Sequence, residues 1–340
     1  MKRSTCLLCG ITLIQGADDR TQTHPIVDDC MVRTTDTWGV AIDEDAAAAI
    51  QPAPEQFDLT THPLVDETLL EIFEKAGVAR LGGISSGSGW SSFSTYQRCP
   101  YAWKRRYLEN TRPAMLVESP SLAIGTLVHV FLALLYTRMV DPEYPLTPES
   151  VYDQLKITCN PKFVEEGWRV FQGYQLYYSQ ELIQPLAIEY DLKDPRNGES
   201  CRFDLIAFFP EWVYGRAPGT YVVEHKTSSR FDQNTLEGWV NDGEVIGQVA
   251  LWKRLKLDHR FGKLQGVIVN LLGKQKYPQY HRTLVSPESW QIEQHREDLR
   301  RWSGLIQLAK SADSFPRARN GCIGRYGRCD HWDHCAHLEG

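Results

Sequence analysis

The stretch GTYVVEHKTSSR, Gly219 to Arg230, decides how the rest of the chain is read. Tyr221, Val222 and Val223 favour a strand and lead straight into Glu224, His225 and Lys226. Side chains alternate along a strand, so Glu224 and Lys226 share one face and His225 takes the other. Taken alone, a carboxylate and an amine at the end of an apolar strand are most simply a surface ion pair, contributing ~0–1 kcal/mol. A sharper reading needs partners elsewhere in the sequence.

One such partner is Asp204, set among apolar neighbours in CRFDLIAFF, residues 201–209. An ionised carboxylate there needs a counter-charge or a metal, although a strand-end turn is the plainer reading of the residue by itself. Neighbouring strands would bring Asp204 and Glu224 to one sheet edge with Lys226 alongside. Converging carboxylates form a hard-oxygen site suited to Mg²⁺ or Mn²⁺, an ion that polarises a phosphodiester and acidifies bound water. Lys226 would orient or deprotonate that water, or offset charge on the phosphorane. His129 lies in the apolar run 121–139, four residues after Gly125, where Gly125 and Thr126 keep the helix face slim. A single histidine on such a helix is ordinarily a core residue. Gln248 and Trp252 stand four apart on one helix face and, alone, are a packed pair.

The chain has 340 residues, 42% hydrophobic and 24% charged, which suits a soluble globular protein. No apolar run is read as long enough to span a bilayer. The opening MKRSTCLLCGITLIQGA has a basic start and a short apolar segment, but two cysteines and a glycine interrupt it, so a cytoplasmic location is expected rather than secretion. The net charge of −6 does not advertise a nucleic-acid binder, yet residues 1–90 hold 14 acidic against 6 basic side chains, leaving the remainder at +2. Basic clusters in that remainder, such as Lys104-Arg105-Arg106, are compatible with phosphate contacts.

Residues 1–89 are read as an acidic, partly disordered arm with a short helix over 66–76, closed by the linker LGGISSGSGW. The domain proper is read as 90–340. Its first helix takes Ser92 or Ser94 as cap and breaks at Pro100. A buried helix over 121–139 and another around 166–181 follow. Strands are read at PLAIEYDL, CRFDLIAFF, TYVVEHKTS and GVIVNLLGK, with a helix over 244–257 before the last. A long polar helix over 286–312, capped by Ser286 with Glu288 just inside, precedes a cysteine-rich tail. This order indicates one α/β domain with a mixed central sheet.

The ordered set is more specific than its members. G-T-x-x-H at 125–129, a strand aspartate, E-x-K at 224–226 and Q-x-x-x-W at 248–252 resemble the RecB-like branch of the PD-(D/E)XK nucleases over residues 91–335. That resemblance implies a restriction-endonuclease-like core: a mixed central β-sheet flanked by helices, with an N-terminal helical part. It implies Asp204, Glu224 and His129 as metal ligands, Lys226 as the catalytic lysine, and Gln248 and Trp252 near substrate. Members usually carry Tyr where this chain has Trp252, so the indole can stack a base but lacks the phenol's hydroxyl. Glu189, in PLAIEY, is left as a strand-face residue. The expected activity is a DNA exonuclease on single-stranded DNA or free ends, with the aromatic-basic segment Tyr96 to Arg106 as a strand guide or, alternatively, as core. The rival is a nucleic-acid-binding or zinc-stabilised scaffold without cleavage.

Cys322, Cys329 and Cys335 crowd the tail, with six and five residues between them. Such density suggests thiolate ligation of a metal, and Cys99 is the natural fourth ligand. One upstream cysteine plus three at the C-terminus resembles the iron–sulfur nucleases of this family, which include CRISPR adaptation nucleases and recombination helicase–nucleases. The resemblance implies a [4Fe–4S] cluster and protein partners of recombination or CRISPR adaptation. Zn²⁺ is the rival, because His331 and His334 stand among the cysteines. Either would tie the tail to the Cys99 helix.

Overall fold

The computed structural model describes residues 3–5, 12–14, 89–109, 120–196, 199–211, 215, 217–324, 327–329, 331, 332 and 335. The helix read over 66–76, most of the arm and linker, and His334 lie outside them. A short antiparallel pair, β1 (Arg3–Thr5) and β2 (Thr12–Ile14), falls within the arm.

Helix α1 (Trp90–Arg98) is capped at Gly89, three residues before Ser92 and five before Ser94. Ser92 does not cap it, because the indole Nε1 of buried Trp103 donates to the Ser92 hydroxyl at 2.8 Å. The expected break falls at Cys99, which is extended (φ −162°), and Pro100 opens α2 (Pro100–Trp103), where its missing N–H costs nothing. A π-helical turn, Lys104–Leu108, continues it. Tyr96 and Trp103 pack with Ile306 and Phe315, so these two members of the expected strand guide are core.

Helix α3 (Pro120–Val140) is long and apolar enough to cross a membrane, against the expectation from sequence. Most of it is instead buried in the domain, against α4 (Pro148–Thr158) and α5 (Pro161–Tyr177) and one face of the sheet. The sequence reading missed α4. Its start is set by Thr147 and Ser150, which cap one another's backbone N–H, and by Pro148 in the first turn.

The sheet has five strands in the order β3 (Gln184–Lys193), β4 (Ser200–Phe209), β5 (Gly219–Ser228), β6 (Leu264–Gly273), β7 (Tyr280–Val285). All neighbours are antiparallel except β5 and β6, which are parallel and joined through α6 (Gln233–Glu237), a 3₁₀ turn, α7 (Gly243–Leu255) and α8 (Asp258–Phe261). A parallel pair requires such a crossover. Edge strand β7 is not marked by its sequence: YHRTLV sets His281, Arg282 and Thr283 in a row, with no apolar alternation, and Arg282 is nevertheless buried. Helix α9 (Ser289–Ser311) starts three residues after Ser286, with Glu288 and Gln291 forming the capping pair. It covers the second face beside α7, where Val222, Val249, Ala250, Val269 and Ile292 join one core. The architecture is α/β with helices on both faces of a mixed sheet, a restriction-endonuclease-like core.

Candidate active site where two strands part

Strands β4 and β5 pair from Phe209–Gly219 to Leu205–Val223 and then separate. At the parting, the Asp204 carboxylate replaces the lost ladder bond: its Oδ2 accepts the His225 N–H at 2.7 Å. Across β3, Glu189 stands near the same point in the left-handed region, φ 47°. For a residue with a Cβ that conformation costs about 1 kcal/mol, and the surroundings must impose it. Gly125 of α3 passes so close to β5 that a Cβ there would meet Thr227 Oγ1 at 3.1 Å, which brings His129 down onto the strand ends. His129 Nδ1 lies 3.5 Å from Asp204 Oδ1 and 3.9 Å from Glu189 Oε1. Ligand atoms of His129, Glu189 and Asp204 all fall within 4.8 Å of one another.

His225 organises this group through its main chain. Its N–H holds Asp204, and its carbonyl oxygen accepts from His129 Nε2 at 3.0 Å. The carbonyl can only accept, so His129 carries its hydrogen on Nε2 and turns Nδ1 toward the carboxylates. The His225 ring points to the α3 side, where Asn270 Nδ2 donates to its Nδ1 at 2.8 Å. Burial pushes the His225 imidazole down to about 3, so it is neutral. Asn270 is fixed in turn by Arg282, which also donates to Glu181 and Tyr174.

On the opposite face of β5, Lys226 Nζ lies 2.5 Å from Glu224 Oε1 and 2.8 Å from Glu244 Oε2 of α7. Gln248, one turn further along α7, donates to Glu224 Oε2 at 2.5 Å. Burial, followed by the Asp204 charge, pushes the Glu224 carboxyl up to about 8. Burial opposes the Lys226 charge, but Glu224 and Glu244 outweigh it and hold the ammonium well above its ordinary range. Burial likewise opposes charge on His129, and Asp204 and Glu189 outweigh it to raise the imidazolium well above its usual value. Burial alone would raise Asp204; the His129 charge holds it well below the carboxylate range. The raised imidazolium reflects the carboxylates around it, and the lowered Asp204 reflects that imidazolium. Two carboxylates and an oriented imidazole nitrogen in one pocket fit a divalent cation.

The structure therefore brings together His129 and Asp204 as expected, with Glu189 as their companion. Glu224 is next to them on β5, its oxygens engaged by Lys226 and Gln248. Glu189 reads from sequence as a strand-face residue, because nothing in a strand pattern marks a left-handed kink. Glu244 was missed, although it stands four residues before Gln248 on one helix face. The expectation that Trp252 stacks substrate fails: it is fully buried against Phe203 and Phe261, and its Nε1 donates to Asp258 at 2.6 Å. Gln248 is also buried and grips Glu224, not an open surface. Cys99, Cys322, Cys329 and Cys335 all line one cavity of about 290 Å³, and none is in a disulfide. They are less compact than the acidic group: among the described residues, His129, Glu189 and Asp204 are the set with three ligand atoms within 4.8 Å.

A family model described as the PD-(D/E)XK nuclease superfamily matches residues 90–336. A solved structure from Eubacterium rectale, carrying a provisional exonuclease assignment, is similar at 14% identity over 74% of this chain and 87% of its own, with a TM-score of 0.42. No curated protein matches the sequence.

Proposed function

The chain belongs to the PD-(D/E)XK nuclease superfamily, and from that premise we propose that it is a metal-dependent DNA exonuclease acting on single strands or strand ends. The observation that carries the proposal is the convergence of His129, Glu189 and Asp204 beside the Lys226 ammonium. His129, Glu189 and Asp204 would hold Mg²⁺ or Mn²⁺, with Glu224 at the border of the site. When bound, the ion supplies Lewis acidity toward the phosphodiester and its attacking water. His129 presents Nδ1 because His225 binds Nε2. Lys226, held as an ammonium by Glu224 and Glu244, places positive charge where the phosphorane accumulates negative charge. It does not act as a free amine base. Gln248 fixes Glu224 and so aims Lys226.

The cavity lined by Cys99, Cys322, Cys329 and Cys335 fits a four-thiolate centre that fastens the tail to the start of α2. A [4Fe–4S] cluster is the first reading and Zn²⁺ the second, since buried His331 lies in the same tail. A cytoplasmic location is part of the same proposal. Partner proteins of recombination or CRISPR adaptation belong to this proposal as well.

The test is digestion of end-labelled linear strands and of a circular single strand with Mg²⁺ or Mn²⁺. Loss of the linear strands beside an intact circle supports end-dependent hydrolysis. Intact linear DNA under both ions overturns the enzyme reading, and a cut circle overturns the dependence on ends.

A further inference from the structure

Carboxyl groups dominate the pocket: Glu189, Asp204, Glu224 and Glu244 surround His129 and Lys226 and leave few donors for a polyanion's own backbone. The substrate strand therefore needs a hold elsewhere. The end of β5 leads to one. Beyond Lys226 the chain passes Ser228, whose carbonyl accepts from Lys274 N at 2.9 Å. Lys274 Nζ reaches the Ser121 carbonyl at the start of α3, 3.3 Å away. The 274–279 turn is locked in place by Arg169 of α5, which donates to the carbonyls of Lys274, Gln275 and Lys276 at 3.2, 2.5 and 3.0 Å.

That locked turn borders an open cavity of about 630 Å³ lined by Tyr177, Phe231 and Tyr280. Two aromatic side chains here face solvent: Tyr177 is 64% exposed and Tyr277 77%. Lys276 is exposed with its Nζ 5.5 Å from the Tyr277 ring centre, and exposed Arg230 directly precedes Phe231, which lines the cavity. Tyr277 on the rigidly held turn and Tyr177 at the end of α5, both open to water and with cations nearby, suit unpaired bases and their phosphates. A duplex keeps its base faces stacked inside, so along its length it offers an aromatic ring no face to stack on.

We propose that Tyr177 and Tyr277, with Lys276 and Arg230, form a stacking platform that holds single-stranded DNA as it runs to or from the parted ends of β4 and β5. The platform deepens the nuclease reading and rests on it for its biological meaning, but its binding is measurable without catalysis.

The test is fluorescence anisotropy of a short labelled single strand, and of a blunt duplex of the same length, with the full-length protein in buffer free of Mg²⁺ and Mn²⁺. The Tyr177→Ala/Tyr277→Ala variant should bind the single strand about tenfold more weakly and the duplex as before. Lys276→Ala and Arg230→Ala should each reduce the salt dependence of single-strand affinity by about 0.7 in log–log slope. All four side chains are at the surface, and matching circular dichroism checks that each variant is folded. Unchanged single-strand affinity and salt slope overturn the platform, as does an equal loss on duplex. Wild-type cleavage with Mn²⁺ is scored separately, so an inactive enzyme leaves the platform result readable, and a failed platform leaves the nuclease reading standing.

Discussion

His129 donates from Nε2 to the carbonyl oxygen of His225 at 3.0 Å, and that one bond decides which imidazole nitrogen faces the carboxylates. The same residue's N–H holds Asp204 at 2.7 Å. One peptide unit on either side of the His225 α-carbon thus orients two groups that lie 75 residues apart in the chain. The imidazole of His225 serves this indirectly, anchoring the strand to Asn270.

Glu189 and Glu224 are expected to separate by function. Glu189→Gln should weaken Mn²⁺ binding by more than the roughly 10–100-fold that loss of an outer hydrogen-bond partner costs. Glu224→Gln should leave Mn²⁺ affinity closer to wild type and lower turnover, because it removes one of the two carboxylates that hold and aim Lys226. Titration calorimetry with Mn²⁺ reads the first effect and single-turnover cleavage the second. Equal losses of metal affinity in both variants would refute the division.

Lys226→Ala should reduce kcat about 10²–10³-fold with little change in KM, the signature of charge stabilisation in the transition state. Glu244→Gln should give a smaller loss in the same direction, since Glu224 still holds the ammonium. A KM effect without a kcat effect in Lys226→Ala would place the lysine in ground-state binding.

Asn270→Leu should destabilise the fold by about 1–3 kcal/mol, because it strips the His225 ring and buried Arg282 of a partner. Urea unfolding measures it. Weaker Mn²⁺ binding in the same variant would show that the ring anchor also steadies the metal ligands; stability equal to wild type would show that the network is incidental.

Asp194 supplies the pH test. It is buried, with Arg254 at 2.7 Å and Arg196 at 3.0 Å, and its hydrogen bonds to Arg196 outweigh burial to lower its carboxyl below the usual range. A depressed carboxyl stabilises the fold fully above the unfolded value of about 3.9, and that contribution fades as pH falls toward the folded value. Asp194→Asn should therefore cost about 2 kcal/mol at neutral pH and progressively less below pH ~3.9. A difference that stays constant into acid would mean the charge is irrelevant.

Trp252→Phe should lose about 1 kcal/mol through the Asp258 bond and bind DNA as wild type does. Weakened DNA affinity at unchanged stability would restore the stacking role expected from sequence. For the cysteine cavity, iron with acid-labile sulfide and a brown colour should vanish in Cys335→Ser, alongside a lower Tm. A colourless wild-type protein with stoichiometric zinc would decide for Zn²⁺.

The strand nature of 185–192, 201–209, 220–228 and 266–274 is written in local composition, as is the buried helix that carries His129. Local composition also marks Pro100 as the break before α2. These are properties of near neighbours in the chain, so a linear reading reaches them. Edge strand β7 and helix α4 escaped because their apolar content is thin and partners elsewhere complete them.

The sequence by itself supplied the candidate groups: an imidazole, an aspartate and an E-x-K, each of a type that suits phosphodiester hydrolysis, and cysteines dense enough in the tail to suggest metal ligation; that Cys99 shares a cavity with three of them is a result of the fold. It could not determine which acid joins His129 and Asp204, nor that Trp252 is core. Those depend on where β4 leaves β5, on the left-handed turn at Glu189, and on how α7 lies over the sheet. Each arises from packing between segments distant in the chain, where separations of a few ångströms set which charges meet. Spacing along the sequence does not encode such distances.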